Sequence, residues 1–379
     1  MGIVQSLSIP ENPILQDSQK GDYIEQILEA LLQECAMLIS DVEEKKVDES
    51  ILMQEIEKRI TRIRGVINPE RLRRSVFDYL YGYGILQPLI EDEAISDIDI
   101  PRYDFITYKT KGITKKSPLV FENESAFNRF CKMLIIRHGG IINDVDNHCR
   151  ISDVKNRLRV NVCIPPRNVY GTSMNIRKHA MGTLSLPQLM DLGMLDEVAF
   201  EILSENIKSN RSILICGKGA AGKTTLLRAV IEAGDELERM LICETDTELY
   251  PQKKSVIVQY LKKNAFGGKK VTLSDLIREG LTMHLDTYCI GEIIGDEAWD
   301  FVKAGYTDHR ILGTIHASGC EDAIQRLAML CEMHTHFPHE QLMAVIKRSV
   351  GLVIYLKKFQ IHEIFDFSLD QCVYKKRGQ

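Results

Sequence analysis

The sequence predicts an α/β protein whose C-terminal domain, residues 181–379, follows an α+β domain over 81–180 and a helical bundle over 23–80. Three observations predict it. From Leu184 onward, helical patterns alternate with short apolar runs: Ser212–Cys216, Met240–Cys243, Val256–Tyr260, Thr287–Ile290 and Ile311–Ile315. That alternation implies a largely parallel sheet with helices on both faces. The first of these runs leads directly into a glycine-rich loop and an amphipathic helix, and the stretch from Ile85 to Lys178 mixes strand alternation with a single helix.

Along the chain, residues 1–22 are polar, contain Pro10 and Pro13, and read as a flexible arm. Tyr23–Ile39 and Ile51–Ile67 carry apolar residues at helical spacing around the charged stretch Asp41–Ser50, and Asn68-Pro69 opens a third helix through Leu80. Tyr81-Gly82-Tyr83-Gly84 then marks the passage to the α+β domain. Its strand candidates include Ser96–Ile100, Asp104–Tyr108 and Arg157–Ile164, and its helix is Glu124–Arg137.

A chain of 379 residues is too long for one ordinary core, and 44% hydrophobic with 27% charged residues describes a soluble globular protein. The net charge of −5 supplies no bulk attraction to nucleic acid, so none is expected as a partner. Ten cysteines include no C-x-x-C pair, and Cys216, Cys243 and Cys289 lie inside apolar runs. This usage suits reduced thiols in a cytoplasmic compartment. No apolar run approaches the ~18 residues of a membrane span. Cys331, His334, His336 and His339 cluster, but not at structural zinc spacing.

Ile215–Leu227 matches G-x-x-x-x-G-K-[ST] with Gly217, Gly222, Lys223 and Thr224 in the required places. The glycines let the backbone wrap closely, so that N–H groups along Gly217, Gly219, Ala221, Gly222, Lys223, Thr224 and Thr225 cradle phosphate oxygens. Lys223 reaches the β- and γ-phosphates, and the Thr224 hydroxyl ligates Mg²⁺. The phosphates sit at the N-terminus of the following helix, where unpaired N–H groups and the dipole favour anions. The motif predicts binding of a nucleoside triphosphate.

Hydrolysis needs positioned charge as well as a cradle. One downstream strand ends in Glu244 and another in Gly291-Glu292. Glu292 is expected to position the attacking water or to hold Mg²⁺ through water, and Glu244 to polarise the same water. His309 and His316 bracket the next strand, and His316 falls at its C-terminal end, the ligand edge of a parallel sheet.

In this order the motifs resemble the secretion ATPases of the type II/type IV superfamily. The phosphate loop, Cys-Glu-Thr-Asp-Thr-Glu-Leu, Gly-Glu-Ile-Ile-Gly-Asp-Glu-Ala and Thr-Asp-His…Gly-Thr-Ile-His-Ala look like that family's Walker A, Asp box, Walker B and His box. Tyr83–Ile100, Arg157–Pro166 and Met174–His179 look like parts of its N-terminal domain. With a helical extension in front, the chain is closest to the tight-adherence (CpaF-like) branch. The resemblance implies a RecA-like C-terminal domain, ATP with Mg²⁺, a homohexameric ring, and a membrane platform protein as partner at the cytoplasmic face. It also implies that Arg159 and Arg177 contact the γ-phosphate or a neighbouring subunit's nucleotide. Three positions depart from the family pattern, Thr245 and Asp308 replacing its Asp and Gly and Ile294 an Arg; the loop to His316 is about one residue short, and Lys357-Lys358-Phe359-Gln360 reads as a truncated form of an arginine-containing hairpin.

Overall fold

The computed structural model describes residues 18–63, 68–179, 182–261 and 271–376. These divide at Lys178/His179 into two compact units. Most of the expected arm, residues 1–17, lies outside the described residues, and residues 18–22 already belong to the first helix.

The N-terminal unit contains α1 (Ser18–Glu34), α2 (Ala36–Glu43), α3 (Glu49–Ile60), α4 (Pro69–Tyr81), α5 (Gln87–Glu91) and α6 (Glu124–Arg137). Its strands are β1 (Ile95–Arg102), β2 (Phe105–Thr110), β3 (Ile113–Lys116), β4 (His148–Asp153), β5 (Leu158–Cys163) and β6 (Ser173–Lys178). The single helix expected over Tyr23–Ile39 is two, broken at Cys35, which leaves helical geometry at φ −125°. Apolar spacing runs on through the break because Leu31 and Ile39 both enter the same core. Side-chain caps set two helix starts: Asp48 accepts from Ser50 N at 2.9 Å, and Asn123 from Ala126 N at 2.8 Å.

The strands form one antiparallel sheet in the order β3-β2-β1-β6-β5-β4. Strict alternation makes it two-faced. Ile98, Ile100, Val160, Val162, Met174 and Ile176 are buried in one cluster with Leu52, Val76, Leu80, Phe127 and Leu134 of the helices. The helices α1 to α4 therefore share the sheet's core. At its centre lies the Tyr81–Gly84 segment: Tyr83 is buried and donates its hydroxyl to Asp153, while buried Arg137 donates to the carbonyls of Leu80 and Gly82.

The C-terminal unit contains α7 (Leu186–Asp191), α8 (Glu197–Lys208), β7 (Ile213–Gly217), α9 (Lys223–Ala233), β8 (Met240–Glu244), β9 (Val256–Tyr260), α10 (Leu273–Gly280) and β10 (Thr287–Ile293). It continues with α11 (Glu297–Tyr306), β11 (Arg310–Ile315), α12 (Cys320–Glu332), α13 (His339–Ser349), β12 (Leu352–Lys357), β13 (Gln360–Asp366) and β14 (Gln371–Lys375). The sheet order is β14-β13-β12-β7-β11-β10-β8-β9, parallel from β12 to β9, with β13 and β14 antiparallel at one edge. Successive residues of each central strand serve opposite faces. Leu214, Leu241 and Ile290 pack with α10 to α13, whereas Ile213, Ile215, Ile242 and Leu312 pack with α7 to α9.

The segment at Lys357–Gln360 is a two-residue hairpin. Lys357 pairs with Gln360, and Lys358 and Phe359 have φ values of 50° and 63°. Two left-handed residues match the right-handed twist of the flanking strands.

Candidate nucleotide site

The parallel topology brings the C-terminal ends of β7, β11, β10 and β8 to one edge of the sheet. Those ends carry Gly217, His316, Glu292 and Glu244. The loop from Gly217 to Gly222 closes tightly against its neighbours. A β-carbon at Gly217, where φ is 156°, would meet the Leu356 carbonyl oxygen of β12 at 2.5 Å. At Gly222, φ is 98°, and a β-carbon would sit 2.8 Å from Met194 Cε and 2.9 Å from Phe359 Cδ2. Both positions therefore require glycine for shape as well as for backbone freedom. Gly222 is the N-cap of α9, so Lys223, Thr224 and Thr225 open the helix with their N–H groups unpaired within it.

The buried Lys223 folds back over the loop and donates from Nζ to the carbonyls of Gly217 and Lys218 at 3.2 and 3.3 Å. Burial pushes its ammonium below the ordinary value, and the charge of Glu292 opposes that shift. Thr224 and Thr225 are half-buried beside it.

Glu292 and His316 meet across the β10/β11 pair, with Oε1 and Nε2 2.6 Å apart. Both remain partly open to solvent. His316 also faces the loop: its Cε1 lies 3.7 Å from the β-carbon position of Gly219. His309, at the other end of β11, packs edge-on against Tyr288 at 5.1 Å.

Glu244 is buried at 2% exposure. Its Oε1 accepts the N–H groups of Glu248 and Leu249 at 2.9 and 3.0 Å, while Oε2 has no hydrogen-bond partner. Burial pushes this carboxyl up to about 8, which the two backbone donors only partly offset. Gly291 makes room for it, since a β-carbon there would stand 3.2 Å from Glu244 Cγ and Oε1.

Arg177 and Arg159 belong to the N-terminal unit, where they are directly opposite one another on β6 and β5. Both project from the polar face of that sheet, and Arg177 Nε donates to Asp97 Oδ1 at 3.0 Å. Their side-by-side register is a product of strand pairing. Nothing in the spacing of Arg159 and Arg177 along the chain announces it.

Met194 and Phe359 are neighbours of the loop that the sequence reading missed. The available signal was the two strand-like runs, Leu352–Leu356 and Ile361–Phe365, on either side of Lys357–Gln360. Two of the departures from the family pattern have a definite place in the structure. Asp308 has φ 73°, a left-handed position that suits glycine and that aspartate tolerates better than most residues. Ile294 is exposed, and its N–H is capped by the carboxylate of buried Glu297.

Fold and site together define a phosphate-loop α/β protein with two strand-end carboxylates and a histidine at the ligand edge. Residues 143–358 match the family described as "Type II/IV secretion system protein"; the match spans more than half of the chain, and the protein belongs to that family. It is 28% identical over 278 residues to a putative conjugal transfer protein of Mycobacterium tuberculosis, covering 71% of this chain and 79% of that one. It is 27% identical over 227 residues to the type IV secretion system protein PtlH of Bordetella pertussis, covering 53% and 67%. In fold it is similar to the Legionella pneumophila ATPase DotB (TM-score 0.53, 18% identity, 74% of this chain and 79% of that one). It is also similar to the pilus retraction motor PilT solved with bound ADP (TM-score 0.51, 16% identity, 72% and 77%). Among the described residues, no helix is long and apolar enough to cross a membrane.

Proposed function

We propose that the protein is an ATP-hydrolysing motor that powers assembly of a pilus or secretion apparatus from the cytoplasmic face of the membrane. One observation carries the reading. A buried carboxylate with an unpartnered oxygen, Glu244, lies on the same sheet edge as the Glu292–His316 pair and the phosphate loop. A loop that only bound nucleotide would not need that second set of groups.

In this reading the loop's N–H groups hold the phosphates. Lys223 gives up its loop carbonyls for the β- and γ-phosphate oxygens. Glu292 orients the attacking water and His316 fixes the carboxylate that does so. Glu244, held largely protonated at neutral pH in the nucleotide-free protein, is a second proton acceptor beside that water once it ionises. The half-buried Thr224 hydroxyl at the start of α9 would hold Mg²⁺, with Glu292 able to reach it through water, and the ion would supply charge neutralisation at the phosphates. The family resemblance adds a homohexameric ring of the tight-adherence type, a membrane platform protein as partner, and contact of Arg159 and Arg177 with nucleotide. A guanidinium suits that contact because it stays charged and forks onto phosphate.

The test is steady-state phosphate release by the full-length protein beside Lys223→Ala and Glu292→Gln controls. Activity indistinguishable from those variants would leave a nucleotide-gated structural or regulatory subunit instead. The similarity to a putative conjugal transfer protein favours one further reading, a DNA-transfer ATPase. Salt-sensitive DNA binding would separate it from the pilus motor.

A further inference from the structure

Phe359 is an anomaly at the hairpin between β12 and β13. A two-residue turn with both φ values positive ordinarily takes Asn-Gly, because a large side chain is strained in the left-handed region. Here the positions are Lys358 at φ 50° and Phe359 at φ 63°. Backbone strain of this kind persists only where surrounding contacts impose it.

The contacts point to the phosphate loop. Phe359 Cδ2 and Cε2 lie 2.9 and 3.2 Å from the β-carbon position of Gly222, and Met194 Cε lies 2.8 Å from it. The two side chains are tied to each other through the backbone, because Ile361 N donates to Met194 O at 2.7 Å. The strand leading into the turn backs the other end of the loop, with the Leu356 carbonyl against Gly217. One hairpin thus touches both invariant glycines of the motif pattern, at the first and sixth positions of the loop.

We propose that Phe359, with Met194, is a positioning residue that holds the phosphate loop in its binding shape before nucleotide arrives. Glycine is the most mobile residue in a chain, and a loop rich in it must lose that freedom when it closes on phosphate. Packing an aromatic ring and a thioether on Gly222 removes the freedom in advance, so less of the binding free energy is spent on ordering. The left-handed Phe359 is the strained element that makes the contact possible. This inference rests on the loop being the nucleotide site.

Phe359→Gly separates a positioning role from a structural one. Glycine suits φ 63°, so the substitution relieves the turn while removing the ring. Full-length protein titrated calorimetrically with ATP and Mg²⁺ should show a dissociation constant at least tenfold higher, about 1.4 kcal/mol. The nucleotide-free thermal midpoint should not fall. Phe359→Leu, which keeps apolar contact with Gly222, should restore affinity to within about threefold of the parent. Parental affinity in Phe359→Gly would overturn the proposal, as would a midpoint that falls together with affinity. Lys223→Ala in the same titration keeps the two readings apart. If it binds ATP normally, the site assignment fails; if it loses binding while Phe359→Gly retains it, only the positioning role fails.

Discussion

His316 and Glu292 are joined imidazole to carboxylate at 2.6 Å, across two parallel strands that are separated in sequence by the whole of α11. His316 of the pair also faces the loop, its Cε1 lying 3.7 Å from the β-carbon position of Gly219. In the proposed mechanism the two side chains act as one unit, and units of this kind respond to substitution non-additively. Glu292→Gln is expected to lower kcat by about 10²-fold or more with little change in KM for ATP, and His316→Ala by about tenfold or more. The double variant should be no slower than Glu292→Gln alone. Fully additive losses in a double-mutant cycle of phosphate-release rates would show that the pair does not work together.

The two ends of the phosphate loop differ from its middle in what they tolerate. Gly217→Ala drives a β-carbon into the Leu356 carbonyl, which is backbone and cannot step aside. It should cost about 3 kcal/mol or more of stability in urea unfolding and abolish nucleotide binding. Gly219→Ala meets only His316 Cε1 at 3.7 Å, an ordinary contact distance. Its stability should stay within about 0.5 kcal/mol of the parent. Equal tolerance at both positions would contradict the packing described above.

Glu244 gives stability a definite pH dependence. Its folded value of about 8 lies above the ordinary 4.5, so between those two values the unfolded chain has lost a proton that the folded protein keeps. Stability therefore falls as pH rises through that window, by about 1.4 kcal/mol per unit from this group, and the contribution is complete below it. Glu244→Gln removes the titration. Urea unfolding at a series of pH values should show the variant gaining on the parent from about pH 5 to 8. An equal slope in both proteins would rule out the buried carboxyl as its source.

Arg177 permits a separation of stability from function. Its guanidinium is more than half exposed, and its pairing with Asp97 is of a kind worth about 0–1 kcal/mol. Arg177→Ala should therefore shift thermal unfolding little while lowering ATPase activity about tenfold or more, as expected for an arginine that meets nucleotide. Unchanged activity in the variant would remove Arg177 from the site.

Much of the C-terminal unit is legible in one dimension because its determinants are local. Five apolar runs predicted five strands, and all five appear; β7, β8, β10 and β11 are buried on both faces and so continuously apolar, whereas β9 is a partly exposed edge strand. The phosphate loop is legible for a similar reason: its glycines, lysine and threonine lie within eight residues of one another. The helix Glu124–Arg137 agrees residue for residue, with Asn123 as its cap. The strands β4, β13 and β14 were harder to see, because they mix apolar and polar residues without a clean period, whereas β12, apolar from Leu352 to Leu356, carries the same signal as the central strands. The break at Cys35 was invisible because both helices keep their apolar faces toward one core.

By itself, then, the sequence determined most of the segments that fold and that one of them has the form of a phosphate loop, because hydrophobic period and loop chemistry are written in consecutive residues. Only the tertiary structure decided which distant groups share an edge: Glu292 beside His316, Glu244 beneath Gly291, and Phe359 against Gly222. Those pairings follow from strand order and register, which are settled by packing between segments far apart in the chain. No spacing along the sequence encodes them.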